Sequence, residues 1–348
     1  MSNVGAKLIP PAHPIDVDVL GAWLRAHVDP AIGGLIVEQY QGGQSNPTYR
    51  LTAGDRRYVL RRKPPGKLLP SAHAIDREYR VMSALAHTDV PVAKMHALCA
   101  DDTVIGTAFY VMEYVEGRIL WDPTLPGMAP AQRAAHYGEL NRVIAALHTV
   151  DFNAVGLSDY GRIGNYIERQ IARWSKQYQT GGADRIPAMD RLIEWLPSHI
   201  PPGDETRIVH GDYRLDNVIF HPTQPRILAV LDWELSTLGH PLSDFAYQVM
   251  AWRLAPEDFR GLKGADLPAL GIPSEQEYVA AYCARTGRTE IPGWEFYLIF
   301  SMFRIAAILH GVLSRALQGN AASDNAIATG SRARPVADVA WRMAQTQN

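Results

Sequence analysis

The sequence predicts an α+β fold in two lobes: a small lobe on an antiparallel sheet over residues 1–115, and a larger, mostly helical lobe over 116–348. Three observations carry this expectation. Short strand-like runs separated by turn residues fill the first third of the chain. Long segments with apolar residues at helical spacing follow from Pro130 onward. One strand-rich polar window, IVHGDYRLDNVIFHPTQPRILAVLDWE over 208–234, interrupts the helical part. The length of 348 residues allows one large domain or two lobes that each bury a core.

In chain order, a first helix is expected over Asp16–Ala26. Strand candidates LIVEQY (35–40) and TYRLTAG (48–54) flank the turn GGQSNP (42–47). The small residues around Gly43, Gln44, Ser45 and Asn46 let backbone amides approach a phosphate closely. The same segment also reads as a plain hairpin turn. The next strand, YVLRR (58–62), puts Val59 and Arg61 on one face and Tyr58, Leu60 and Arg62 on the other. A helix over Ile75–His87 carries the stripe Ile75, Tyr79, Met82 and Leu85, with Glu78 beside it. A buried acid needs a cation, and Arg61 is the natural one; the alternative is a surface Glu paired with Arg77 or Arg80. FYVMEYVEG (109–117) is an apolar strand that breaks at Gly117. Pro130–Thr149 reads as a long helix burying Leu140, Val143, Ile144 and Leu147, with His148 a structural residue at its end. NYIERQIARWSKQYQ (165–179) is a second helix, rich in arginine and aromatic residues. Phe296–Gln318 reads as a buried helix rather than a membrane span, because Arg304 and His310 interrupt its apolar run.

Composition narrows the function classes. Hydrophobic content of 47% is that of a globular protein, and a net charge of −2 gives neither a nucleic-acid footprint nor a polybasic membrane patch. Two cysteines, Cys99 and Cys283, are too few for a disulfide framework and fit a reducing cytoplasm. The N-terminal stretch lacks the apolar core of a signal peptide.

The chemistry concentrates in the 208–234 window. Asp212 and Asn217 lie five residues apart on a polar loop, and the apolar run RILAVL ends at Asp232. An acid, an amide oxygen and a second acid in this order suit magnesium-dependent phosphoryl transfer. One carboxylate orients the attacking hydroxyl while the Asn and the other Asp hold the metal. Magnesium takes oxygen ligands in near-octahedral geometry and keeps waters and phosphate oxygens as partners. Arg214, between Asp212 and Asn217, offers a fixed fork of donors suited to phosphate oxygens. A turn of solvated polar residues is the plain alternative.

HGDYRLDN followed by LDWE resembles the aminoglycoside phosphotransferase and choline kinase-like family, relatives of the protein kinases. Within it the chain is similar to the kinase-like domain attached to some acyl-CoA dehydrogenases. The resemblance covers roughly 30–320. It implies a protein-kinase-like fold, ATP or GTP as donor in a cleft between lobes, Mg²⁺ as cofactor and a small-molecule hydroxyl acceptor. By this resemblance Asp212 is the catalytic acid, and Asn217 and Asp232 are the metal ligands. Gly43 to Asn46 form the phosphate-covering loop, Arg61 stands where most kinases carry Lys, and Glu78 is its partner. Glu113 and Val115 read the purine through their backbone, with Met112 behind. Asp244 supports the catalytic loop, and His210 packs beneath it. Alternating strand geometry puts Glu234 on the face of Asp232, within reach of a second metal or a metal-bound water, or else in solvent.

The acceptor is the least constrained part. The helix over 296–318 carries Arg304, His310 and Arg315 and no acid, and the 165–179 helix adds Arg169, Arg173 and Trp174. Aminoglycosides are polycations and need an acidic pocket. These residues instead favour a neutral or anionic hydroxyl compound such as a hydroxyacyl-CoA. An aminoglycoside- or choline-type kinase and a nucleotide-binding pseudokinase scaffold are the competing readings; only the Arg61 departure favours the scaffold.

Overall fold

The computed structural model describes residues 8–9, 15–40, 46–64, 74–318 and 325–347. Gly43, Gln44 and Ser45 of the expected phosphate loop lie outside these residues. The chain divides into two compact units, one of Met1–Leu120, Asn153–Leu157 and Asp216–Ser236, the other of Trp121–Phe152, Ser158–Leu215 and Thr237–Asn348.

The first unit is built on a six-stranded antiparallel sheet in the order β1-β2-β3-β4-β6-β5. Its elements are β1 (Leu8–Ile9), α1 (Val17–His27), β2 (Leu35–Tyr40), β3 (Thr48–Ala53), β4 (Arg56–Arg62), α2 (Ile75–Leu85), β5 (Met95–Cys99) and β6 (Phe109–Glu113). Asp16 caps α1, its carboxylate accepting from the Asp18 and Val19 amides at 3.1 and 3.0 Å. Strand alternation sends Tyr49, Leu51 and Ala53 of β3 inward. There they join Leu20 and Leu24 of α1, Leu60 of β4, and Phe109 and Val111 of β6 in one apolar cluster. Arg62 shares that face of β4 and is also buried, its guanidinium over the Tyr49 ring.

A second hairpin, β8 (Val218–Phe220) with β9 (Ile227–Val230), belongs to this unit rather than to that of Asp212. Asn217, Asp232 and Glu234 therefore sit with the sheet, whereas a division at residue 115 assigns them to the helical lobe. Arg118 ties the chain after β6 to the hairpin by a reciprocal pair of 2.8 Å backbone bonds with Phe220. This closeness explains Gly117: a Cβ there would lie 2.3 Å from the Phe220 oxygen and from Ile219 Cγ2. Gly117→Ala is expected to destabilise the protein by about 1–3 kcal/mol, read as a lower denaturant midpoint at unchanged slope. An unchanged midpoint would mean that this crossing is not close-packed.

The second unit is mostly helical: α3 (Pro130–Thr149), α4 (Tyr166–Gln179), α5 (Pro187–Trp195), α6 (Pro241–Val249), α7 (Pro256–Phe259), α8 (Leu267–Leu270), α9 (Glu275–Thr286), α10 (Trp294–Leu317), α11 (Ala326–Gly330) and α12 (Ala333–Gln345). A two-stranded ribbon of β7 (Arg207–Val209) and β10 (Thr237–Gly239) leads into the segment that carries Asp212. The α10 helix is long and apolar enough to cross a membrane, but it packs against α4, α6 and α12 as the core helix of this unit. Its polar residues Ser301, Arg304, His310 and Ser314 are buried among them.

Candidate active site

The segment that carries Asp212 is held by its backbone. The β7 strand ends at Val209, and the chain turns through Gly211 at φ +85°, a left-handed conformation that favours glycine. The buried Asp244 carboxylate of α6 accepts from the His210 amide at 2.7 Å and the Gly211 amide at 2.8 Å. The His148 ring approaches the same carboxylate at 3.3 Å, and its other nitrogen lies 2.8 Å from the Tyr282 hydroxyl. Burial pushes the Asp244 carboxyl up, but the His148 and His210 interactions outweigh it and hold it below the ordinary aspartate value. The Asp212 amide donates to the His210 ring at 3.1 Å, so that ring is spent on its own loop. Tyr213, fully buried, donates to the Leu140 carbonyl of α3 at 3.0 Å. Each link removes a freedom from the loop and leaves the Asp212 side chain part-exposed.

Arg214 and Tyr247 both contact the Asp212 carboxylate. Arg214 Nη2 lies 3.1 Å from Oδ2, and the buried Tyr247 hydroxyl of α6 hydrogen-bonds the same group. Burial and the Asp212 charge together push the Tyr247 phenol up, so it stays a neutral donor. Arg304, only 5% exposed, stacks over the rings of Tyr247 and Trp174 at 5.2 and 5.8 Å and donates to the Gly211 carbonyl. Among the candidate acceptor residues, Trp174 is buried, with Arg173 over its ring at 5.0 Å. Arg169 is turned to the Gly164 and Arg162 carbonyls before its own helix. Arg304 and Arg169 are thus already engaged with backbone oxygens. Tyr247 was not legible as a site residue, because only the packing of α6 brings it to Asp212.

The first unit encloses a cavity of about 290 Å³ lined by Asn46, Arg61, Glu78, Met112, Glu113, Val115, Asn217 and Asp232, among others. Val59, Ile219 and Val230 give it apolar walls and Tyr40 and Tyr114 line it as well. Burial and the neighbouring Tyr114 push the Tyr40 phenol up to about 12. Glu78 is 1% exposed and accepts from Asn46 Nδ2 at 2.7 Å and the Tyr110 hydroxyl at 2.9 Å. Arg61 Nε lies 3.3 Å from its Oε2. Burial pushes the Glu78 carboxyl up and the Arg61 charge pulls it back; two hydrogen-bond donors and the adjacent guanidinium suit a carboxylate. Arg77 and Arg80, the alternative partners, reach the carbonyls of Ser236 and Gly156 instead.

The approach to Asp232 differs from the strand expected there. The β9 strand stops at Val230, Asp232 takes φ +66° and ψ +54°, and Trp233–Leu235 form a 3₁₀ turn. Alternation therefore does not place Glu234. The turn does, and Arg61 Nη2 reaches both carboxylates, 2.9 Å from Asp232 Oδ1 and 3.3 Å from Glu234 Oε2. A left-handed aspartate costs of order 1 kcal/mol or more and is kept where the surroundings over-determine it. Asn217 and Asp232 offer an amide and a carboxylate oxygen to one cavity. This hard-oxygen pair fits magnesium, which takes its remaining partners from water and phosphate.

The model of the family described as the phosphotransferase enzyme family matches residues 36–297. The chain is 58% identical to a Ralstonia eutropha JMP134 protein crystallised under a provisional assignment as an aminoglycoside phosphotransferase. The match covers 96% of this chain and 99% of that one, with a TM-score of 0.88. It is 50% identical over 315 residues to acyl-CoA dehydrogenase family member 10 of Mus musculus, covering 90% of this chain. The chain spans less than half the length of the curated relatives it matches, 29% and 44% for the first two. A likeness to aminoglycoside phosphotransferase APH(4)-Ia, solved with AMP-PNP and hygromycin B, has a TM-score of 0.58 at 17% identity and shows the kinase-like fold alone. With a family match running from the first long strand of the sheet into α10, and a 58% identical structure covered end to end, the chain belongs to the phosphotransferase enzyme family.

Proposed function

We propose that this phosphotransferase is a magnesium-dependent kinase that moves the γ-phosphoryl group of ATP or GTP to the hydroxyl of a small neutral or anionic metabolite, such as a hydroxyacyl-CoA. The observation that carries the donor half is the cavity that joins Asn217 and Asp232 to Arg61 and the 113–115 backbone. Asn217 and Asp232 would hold the metal, and Arg61 would meet the phosphates. Magnesium, when bound, supplies charge neutralisation on the phosphate oxygens. Asp212, steadied by Arg214 and Tyr247, aligns the acceptor hydroxyl for in-line attack and takes its proton late, so it need not be a strong base.

The acceptor class rests on cationic side chains in the α4 and α10 helices, with Arg173 and Arg304 over Trp174. A polycationic drug gains nothing from these. The names of the curated relatives, acyl-CoA dehydrogenase family members, are in keeping with an acyl thioester. The test is magnesium-dependent nucleotide turnover against hydroxyacyl-CoAs, hydroxy acids, choline, sugars and aminoglycosides, with Asp212→Ala as control. Efficient phosphorylation of kanamycin-type drugs, with none of hydroxy acids or their thioesters, would refute the acceptor class. Asp232→Ala is expected to weaken magnesium–nucleotide binding at least about tenfold, the loss of one charge-assisted ligand. Calorimetry with and without Mg²⁺ reads this directly, and an unchanged magnesium dependence would remove Asp232 from the metal site.

A further inference from the structure

Arg61 is the strand cation expected to grip phosphate, yet its guanidinium lies among carboxylates. Nη2 is 2.9 Å from Asp232 Oδ1 and 3.3 Å from Glu234 Oε2, while Nε is 3.3 Å from Glu78 Oε2. Arg61 thus faces three acids. The two ends of this arrangement differ. Glu78 is buried and fixed by Asn46 and Tyr110, whereas the Asp232 and Glu234 side chains are 38% and 23% exposed. Burial opposes the charge on Arg61, but Tyr110, Glu78 and Asp232 together hold it protonated.

The Asp232 oxygen that meets Nη2 belongs to the group proposed above as a metal ligand. Magnesium requires such an oxygen at about 2.0–2.1 Å. A divalent ion there would stand against a guanidinium already in contact with the same carboxylate, and like charges at that spacing repel strongly in a partly buried site. Metal and guanidinium therefore compete for Asp232. A polyphosphate changes the balance. It brings new anionic oxygens that suit the donor fork of arginine, so Nη2 can leave Asp232 and Glu234 while Nε keeps its contact with Glu78. A lysine ammonium is a single compact charge and does not span the inner acid and the two outer acids with separate donors in this way.

We propose that Arg61 is a specificity-determining residue of this site: it holds Asp232 and Glu234 against bare divalent ions and yields them only to a metal ion that arrives with a nucleotide polyphosphate. The inference rests on the reading of Asp232 as a metal ligand. It assigns to the Arg-for-Lys departure a role of its own, selection of the metal–nucleotide complex over the free metal.

The experiment uses Mn²⁺ as a paramagnetic probe, with the free ion counted by its EPR signal, and AMP-PNP binding by calorimetry. Wild type, E78Q, R61Q/E78Q and R61K are compared. The E78Q background avoids stranding a buried carboxylate when the guanidinium is removed. Without nucleotide, R61Q/E78Q is expected to bind Mn²⁺ at least about tenfold tighter than E78Q, and R61K, which retains a charge and guards against a folding defect in the double variant, to fall between wild type and that value. With magnesium, R61Q/E78Q should bind AMP-PNP more weakly than E78Q. Equal Mn²⁺ affinity in R61Q/E78Q and E78Q, with R61K equal to wild type, would overturn the inference. D232N separates the two levels. If it abolishes Mn²⁺–AMP-PNP binding while the Arg61 variants leave Mn²⁺ affinity unchanged, the metal ligand stands and the selectivity role falls. If D232N changes nothing, both fall.

Discussion

Asp212→Ala is expected to lower turnover by roughly 10²–10⁴-fold, the range of a positioned acid or base, while nucleotide affinity changes little. The reason is a division of labour between the two units. The groups that line the cavity proposed for the nucleotide, Arg61, Asn217 and Asp232 among them, belong to the sheet unit. Asp212 belongs to the other unit, where Arg214 and Tyr247 hold its carboxylate and Asp244, His210 and Arg304 hold its backbone. Removing the carboxylate leaves that scaffold intact, so the loss should appear in kcat and in kcat/KM together. Phosphate release and calorimetric binding of AMP-PNP measure the two sides. A variant that keeps more than about a tenth of wild-type turnover would be too active for a group that contributes even the low end of that range.

Asp244→Ala should instead cost stability. The carboxylate is fully buried and accepts from two backbone amides, with the His148 ring beside it. Its loss strands all three, and removing one partner of a buried charged network costs about 3–5 kcal/mol. At roughly 2–4 °C per kcal/mol for domains of 150–250 residues, a thermal midpoint about 6–20 °C lower is expected. The pH dependence follows from the lowered carboxyl. A group whose folded value lies below its unfolded value of about 4 contributes fully above that pH and loses its contribution as pH falls through the folded value. The variant should therefore lose most stability near neutrality and approach the wild type in acid. A constant difference across pH would show that the carboxylate is not the source. Turnover should fall as well, because the loop beneath Asp212 would lose its two amide anchors.

Much of the fold could be read from local pattern. The first helix, the β2 to β4 run, the α2 stripe and the whole of α3 depend on residues near one another in the chain, and the structure puts them close to the expected boundaries. What was not legible depends on distance in sequence. The β7–β10 ribbon pairs Arg207 with Gly239 across a long insertion, and β5 carries a bulge that spoils alternation. The site divides the same way. Asp212, Asn217 and Asp232 are marked by type and spacing. Tyr247 and the engagement of Arg169 with its own preceding loop depend on how helices pack. The period-two placement of Glu234 failed for a local reason, since a left-handed Asp232 ends the extended chain before it.

The hairpin β8–β9 has a consequence for how this protein is made. The sheet unit is assembled from distant stretches of chain, and Arg61 meets Asp232 across 171 residues. During synthesis, strands β1 to β6 emerge long before the segment that finishes the lining of their cavity. A nascent chain stopped near Leu120 lacks Asn217, Ile219, Val230 and Asp232 of the lining. Closing so long a loop carries an entropic cost that grows with the logarithm of its length, and such non-local pairing slows folding. The cavity is thus a late product of folding, complete only after most of the helical unit's first half has already been translated.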